Sequence, residues 1–147
     1  MRLLPPSTND QYDGAMLSAR FLTLLAVLTI VPGCIHTFLP DGGAGVIAGI
    51  DLGPCGPTII ALFAWAGATQ IALGIVMLVV SLRYRSLVPL ILAVVLLERA
   101  LHALAGWVTK AGSHHPPEHY AVLVGLPLLL AALVGSLRGR AAGGRRP

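Results

Sequence analysis

Four apolar stretches of about 20 residues constrain this chain more than any other feature of its sequence. They lie at about 18–39, 57–81, 87–108 and 118–137. About 20 apolar residues cross the ~30 Å hydrocarbon core of a bilayer as an α-helix. Within lipid the backbone must satisfy its own hydrogen bonds, which a helix does inside one segment. The sequence therefore predicts an all-α protein, a four-helix transmembrane bundle, with the lipid bilayer as its main partner.

The composition supports a lipid environment and disfavours several other classes of protein. The 147 residues are 56% hydrophobic and 11% charged, and a soluble core of that size cannot hide so much apolar surface. Lys and Arg number 10 against 6 Asp and Glu. The basic residues lie beside apolar stretches without interleaved aromatic residues, so nucleic acid is not an expected partner. No Cys-x-x-Cys pair, Ser-His-Asp set or phosphate-binding glycine loop is recognisable, which disfavours an enzyme acting alone.

The distribution of basic residues predicts the orientation of the chain. One side of the predicted topology carries Arg2, Arg20, Arg83, Arg85, Arg138, Arg140, Arg145 and Arg146. The other side carries only Lys110, and Arg99 lies within the third span. Because positively charged loops stay in the cytoplasm, we expect both termini there, in a multi-pass protein of the inner or plasma membrane. Residues 1–17 are expected to be a disordered cytoplasmic N-terminus, and 138–147 a basic cytoplasmic tail.

The two cysteines leave alternatives open. Val31-Pro32-Gly33-Cys34 resembles a bacterial lipoprotein cleavage site, in which the cysteine is lipidated. Pro32 fits that site poorly and three more spans follow, so an uncut, Pro-kinked helix is favoured. Cys34 and Cys55 both belong on the outer side, where they either form a disulfide across the Gly-rich loop or stay separate. A packing role for Cys34 within the helix is slightly preferred.

Small residues in the second span predict its helix contacts. One stripe consists of Ala61, Ala64, Ala68 and Ala72, and a different face is marked by Gly67, Gln70 and Gly74. Transmembrane helices associate through close packing of small residues. Two such faces suggest that this helix has neighbours on both sides.

The third span carries charged residues within its apolar sequence. At about 100° per residue, Glu98, Arg99 and His102 share one arc of the helix. Val95 and Gly106 join that arc, and the other side carries Leu90, Leu97, Leu101 and Leu104. A central charge costs about 2.5–3.5 kcal/mol to insert, and each of about a dozen apolar residues returns about 0.3–0.6 kcal/mol. Separate charges on Glu98 and Arg99 would roughly cancel that gain, so neighbouring helices must shield the pair.

Two interpretations of this polar patch stay open. In the first, Gln70, Glu98, Arg99 and His102 line a pocket that holds a ligand head group or relays a proton, because ionisable groups inside a membrane are functional candidates. In the second, Glu98 and Arg99 form a self-satisfied ion pair that fixes helix register. Their adjacency favours the second somewhat, because Arg99 would hold the carboxylate charged.

The histidines suggest two weak candidate sites. His36 and His102 lie at similar depth in the outer halves of their spans, and two facing imidazoles can ligate haem or a metal ion. A denser cluster in the last loop consists of His114, His115, Glu118 and His119. It lacks the fixed spacing of a known metal site, so zinc or copper capture competes with a solvated loop that becomes cationic in acid.

Three sequence features together form a family pattern. Arg20 opens a first span that ends in Phe38-Leu39-Pro40, the second span contains the run Ala66 to Gly74, and Arg99 lies in the third span before a short loop. Over most of 18–137 these features resemble the DoxX-like superfamily of small four-span bacterial membrane proteins. The resemblance implies a compact four-helix bundle and draws attention to Gly74 and Arg99. Some DoxX-like proteins are linked to quinone-coupled sulfur redox chemistry, and most have no assigned activity. His102 and the outer histidines are not part of the pattern.

Three function hypotheses follow from these observations. The leading one is a non-enzymatic membrane protein whose polar patch on the third span organises the bundle, a homo-oligomer or an interface with another membrane protein. The second is a redox accessory that binds a quinone or haem between the second and third spans. The third is a small transporter, which ranks last because Glu98 has a cation beside it whereas small exporters carry an unpaired carboxylate.

Overall fold

The computed structural model describes residues 3–112 and 114–138. Within these residues the chain is all-α, and four helices are long and apolar enough to cross a membrane. They are α1 (Met16–Phe38), α2 (Gly56–Arg83), α3 (Val88–Leu104) and α4 (Pro117–Leu137). The predicted fold class is confirmed, and the chain is a small multi-pass membrane protein.

Short irregular turns lead into or extend these helices. A 3₁₀ turn precedes α2 at Gly53–Cys55, and another precedes α3 at Arg85–Leu87. A π-helical turn, Ala105–Thr109, continues α3 toward the last loop. Proline opens the first turn of α2, α3 and α4, where its missing N–H has no helical partner to lose.

The tightest helix contact joins α1 to α2. A β-carbon added to Gly67 would lie 2.6 Å from the carbonyl oxygen of Gly33, and one added to Gly33 would lie 2.9 Å from that of Gly67. Further along, a β-carbon on Gly74 would lie 2.5 Å from the Ile30 side chain. The glycine face of the second span therefore packs on α1, as small residues allow in lipid. The alanine stripe instead lies on the outer surface: Ala61, Ala68 and Ala72 are exposed and Ala64 is half-buried.

The common core of the bundle lies at one end. Its fully buried side chains include Leu22, Met77, Val88, Leu92 and Leu129. They come from the start of α1, the end of α2, the start of α3 and the second half of α4, which all meet at the end where the amide of Ala15 donates to the carbonyl of Gly135 (3.1 Å). Toward the other end, no such set of fully buried side chains from all four helices fills the space between α1 and α4 among the described residues.

The two predicted sides of the third span are confirmed. Val95 is 1% exposed, whereas Leu90, Leu97, Leu101 and Leu104 are all exposed. An apolar side turned away from the bundle suits lipid tails, and the opposite arc packs on protein.

The described part of the N-terminal segment, from residue 3, contacts the end of α2. The amide of Asn9 donates from Nδ2 to the carbonyl of Leu82 (2.7 Å), and Ser7 donates from Oγ to the carbonyl of Arg83 (2.9 Å). These carbonyls end α2 and have no helical donor of their own, so the segment caps them. Tyr12 is 8% exposed, and its hydroxyl donates to the carbonyl of Ala15 (2.9 Å). Polar residues thus pack here because they donate hydrogen bonds to the free carbonyl groups at the end of α2.

The predicted basic tail over 138–147 lies, apart from Arg138, outside the described residues. Both cysteines are free thiols in the structure. Cys34 is half-buried within α1, and Cys55 is exposed just before α2, so the disulfide considered above is not formed. Helix α1 continues through Pro32 from Met16 to Phe38.

Candidate functional site

A largely apolar cleft of about 290 Å³ opens between α1 and α4, beside the common core and toward the outer end of the bundle. Its α1 wall includes Leu24, Leu25 and Leu28, and its α4 wall includes Val122 and Leu128. Gly125 also lines it, and a β-carbon added there would meet nothing within 4 Å. A cleft of this size is at the lower end of the range for small-molecule sites.

Four polar side chains, one from each helix, line the same cleft. They are Thr29 of α1, whose hydroxyl donates to the carbonyl of Leu25 (2.8 Å), Gln70 of α2, Arg99 of α3 and Glu118 at the start of α4. The Oε1 atom of Gln70 is buried and has no hydrogen-bond partner among residues 3–112 and 114–138. An unpaired buried oxygen costs about 1–3 kcal/mol, so a donor supplied by a bound molecule would stabilise it. The cleft therefore combines apolar walls with an unsatisfied polar end.

Glu98 and Arg99 are paired but serve different surfaces. Arg99 Nε lies 3.1 Å from Glu98 Oε2, with the Arg99 side chain 19% exposed and that of Glu98 42% exposed. Glu98 Oε2 is itself buried without an aligned hydrogen bond, so the contact is a charge pair and not a well-directed hydrogen bond. The predicted shielding holds better for Arg99 than for Glu98.

The four residues predicted to share one pocket are divided between two sites. Gln70 and Arg99 line the cleft, whereas Glu98 and His102 line an open groove at the outer end of α3, together with Lys110 and His119. The division arises because neighbouring positions on a helix are about 100° apart, so Glu98 and Arg99 diverge around α3. The structure therefore brings Gln70 and Arg99 to one surface and Glu98 and His102 to another.

The outer ends of α3 and α4 bring together a group that the sequence analysis did not assemble. His102 Nε2 lies 3.6 Å from Glu118 Oε1. One ligand atom from each of His102, Glu118 and His119 lies within 4.8 Å of the others. The loop prediction grouped Glu118 and His119 with His114 and His115 instead. The available signal was the short connection between the third and fourth spans, which makes them antiparallel neighbours and places His102 beside Glu118.

Aromatic contacts hold His119 in place. Trp107, in the π-helical turn, donates from Nε1 to the backbone carbonyl of His119 (3.3 Å). His115 stacks on Trp107 with ring centroids 4.2 Å apart, and its Nδ1 lies 3.3 Å from Nδ1 of His119. A β-carbon on Gly106 would lie 2.8 Å from His119 Cε1, so the ring packs directly on that glycine.

The other histidines have separate partners. His36 Nδ1 lies 2.7 Å from the carbonyl of Gly42, and its ring packs edge-on against Phe63. His114 Nε2 lies 2.7 Å from the carbonyl of Ala48 and so ties the last loop to the first. His102 contacts Glu118 and His119. The geometry therefore gives no support to a haem held between His36 and His102.

The first outer loop is organised by one carboxylate. Asp41 accepts hydrogen bonds from the amides of Gly43 (2.8 Å), Gly45 (3.1 Å) and Val46 (2.8 Å). The bond from Val46, followed by that from Gly43, lowers the pKa of Asp41 below its usual value. Gly42 and Gly43 follow with φ of 61° and 76°, a conformation that glycine adopts without strain.

Comparisons with known proteins leave the function to be argued from this geometry. No protein-family model, curated protein or solved structure matches the chain.

Proposed function

We propose that this protein binds, between α1 and α4, a membrane-soluble molecule with an apolar body and a hydrogen-bonding head of the quinone class. The observation that carries the proposal is that Gln70 lines a mostly apolar cleft while its Oε1 atom is buried without a hydrogen-bond partner among the described residues. A ligand donor there would recover part of the about 1–3 kcal/mol that an unsatisfied buried oxygen costs.

Arg99 complements Gln70 at this end of the cleft. Its ion-pair contact to Glu98 is made by Nε, and within 3–112 and 114–138 its terminal amino groups have no protein acceptor. These groups donate hydrogen bonds and accept none. Arg99 would donate to a quinone carbonyl, and Gln70 Oε1 would accept from the hydroxyl of the reduced form. The role that we propose is binding and accessory.

The resemblance to DoxX-like proteins, some of which are linked to quinone-coupled chemistry, supports this proposal. The position of the cleft also supports it, because its walls are the apolar surfaces of α1 and α4, which suit the apolar body of such a molecule. We place the protein in the inner or plasma membrane with both termini cytoplasmic, because Arg20, Arg83, Arg85 and Arg138 flank one side of the bundle and Lys110 the other.

The test is quinone binding by the full chain purified in mild detergent. Co-purifying quinone is measured by lipid extraction and mass spectrometry, and affinity by titration with a short-chain benzoquinone. Gly125→Leu adds bulk where a side chain would meet nothing but the cleft, and we expect it to weaken binding at least about tenfold, or about 1.4 kcal/mol. Gln70→Leu removes the polar head contact and is expected to act in the same direction.

Ala68→Leu is the matched control, because it adds the same side chain on the exposed face of α2, away from the cleft. It should leave binding unchanged. Absence of saturable binding by the wild-type chain, or equal weakening by Ala68→Leu and Gly125→Leu, would contradict the proposal.

A second candidate function is a structural or interaction component of a membrane complex. The exposed stripe of Ala61, Ala68 and Ala72 favours it, because small residues allow close helix approach. A purified protein that carries no quinone but forms a defined oligomer, which Ala68→Leu disrupts, would favour this candidate over the first. The transporter hypothesis has the least support, because small exporters carry an unpaired membrane carboxylate whereas Glu98 is paired with Arg99.

A further inference from the structure

We infer that His102, Glu118 and His119 form a binding site for a first-row transition-metal ion, with Zn²⁺ as the best-matched ion. The residues come from two helices, and their ligand atoms lie within 4.8 Å of one another. Two imidazoles and one carboxylate are a protein ligand set that zinc uses when it keeps an open fourth position. This site is independent of the proposed quinone cleft except that Glu118 lines both.

The distances allow the ligands to close on an ion. Bonds of about 2.0–2.1 Å in a tetrahedral arrangement place ligand atoms about 3.3 Å apart. His102 Nε2 and Glu118 Oε1 are already 3.6 Å apart. The other separations are no greater than 4.8 Å, so each must shrink by at most on the order of 1.5 Å to reach that spacing. The side chains of His102 and Glu118 are 28% and 45% exposed, so both have room to rotate.

The surroundings of His119 match those of a metal-binding imidazole. Metal-bound histidines commonly make a hydrogen bond through the ring nitrogen that does not bind the metal, and this bond sets the tautomer. Nδ1 of His119 lies 3.3 Å from Nδ1 of His115, which leaves Nε2 as the nitrogen that we assign to the ion. His115 is in turn stacked on Trp107. His115 is therefore a positioning residue in this site.

The backbone at the site is also unusual. Ala105–Thr109 forms a π-helical turn, and Lys110 donates from its amide to the carbonyl of Ala105 (2.8 Å). Such turns occur often at functional sites. This one carries Gly106 and Trp107, which contact His119 from two directions.

Charge around the groove is mixed but compatible with a divalent cation. Glu98 lines the same groove, and its negative charge is partly neutralised by the contact with Arg99. Lys110 also lines the groove and is exposed, so water screens its repulsion of the ion. The groove is open, which provides an entry path.

The experiment is a Zn²⁺ titration of the full chain, purified in detergent without a polyhistidine tag and stripped with a chelator. Affinity is measured by competition with a chromogenic chelator. We expect one Zn²⁺ per chain, and we expect His102→Gln to weaken binding by about 10- to 100-fold or more. His114→Gln is the matched control, because His114 is also an outer histidine but bonds to the first loop. It should leave affinity unchanged.

Co²⁺ titration supplies a second measurement that does not depend on any variant folding. Intense visible absorption, typical of a four-coordinate ion, is expected on the wild-type chain. No saturable Zn²⁺ binding, equal loss in His102→Gln and His114→Gln, or only the weak absorption of six-coordinate Co²⁺ would overturn the proposal. Because Gln70→Leu is expected to leave Zn²⁺ affinity unchanged and His102→Gln to leave quinone affinity unchanged, failure of one site is distinguishable from failure of the other.

Discussion

Replacing Gly67 by alanine tests the close crossing of α1 and α2, on which the shape of the bundle depends. The added β-carbon would lie 2.6 Å from the carbonyl oxygen of Gly33, 2.7 Å from His36 Cβ and 2.7 Å from Thr37 Oγ1. Ordinary contact begins at 3.4 Å, so the helices must separate by about 0.8 Å at this point. A backbone oxygen and a β-carbon cannot rotate away, so the strain spreads into the α1–α2 interface.

The expected change in unfolding free energy follows from two opposing terms. Overpacking costs about 1–3 kcal/mol, and a buried backbone contact belongs in the upper part of that range. Alanine returns at most about 1 kcal/mol through its better helix propensity. We therefore expect Gly67→Ala to lower the free energy of unfolding by about 1–2 kcal/mol.

Unfolding by SDS in mixed micelles, followed by circular dichroism, measures this change. Gly125→Ala is the matched control, because it is the same substitution within a helix at a site where the β-carbon meets nothing within 4 Å. It should be neutral or slightly stabilising. A Gly67→Ala protein as stable as the wild type, or a Gly125→Ala protein destabilised to the same degree, would refute the reasoning about the crossing.

Two further predictions concern groups outside the membrane-spanning segments. Asp41→Asn replaces one carboxylate oxygen by an NH₂ group and removes the negative charge, so one of the bonds from Gly43 and Val46 is lost and the other is weakened. Both amides should therefore exchange hydrogen faster than in the wild type. Because the pKa of Asp41 is lowered below 3.8, its contribution is present above that value and is lost as pH falls through the lowered pKa; equal exchange rates in both proteins at neutral pH would contradict this. Burial raises the pKa of Tyr12 above its usual 10.0, so docking of the N-terminal segment should hold below pH 10 and be lost as pH rises through the raised pKa. Ultraviolet titration of the phenols should show a late-ionising component that disappears in Tyr12→Phe, and a wild-type titration without it would argue against the buried hydroxyl.

Residue patterns in the sequence predicted some features of the candidate sites and not others. The apolar and polar sides of α3 were predictable, because position on one helix follows from a fixed rotation per residue. The division of Glu98 and His102 from Gln70 and Arg99, and the approach of His102 to Glu118, were not, because they depend on which helices approach and at what depth. The contacts of Asn9 and Ser7 with carbonyls at the end of α2 depend on tertiary structure in the same way, because the polarity of the N-terminal segment gives no sign of them.

The sequence by itself determined the number of helices, their approximate bounds and the lipid-facing side of α3, because crossing hydrocarbon demands about 20 apolar residues with their own backbone hydrogen bonds. Only the tertiary structure decided that Gly33 and Gly67 bring α1 against α2, that a cleft remains between α1 and α4, and that three ligand-type side chains meet at the outer ends of α3 and α4. These features depend on contacts between residues far apart in the chain. No local pattern specifies them, because in lipid many pairings of apolar helices are nearly equivalent until small residues and polar groups select one.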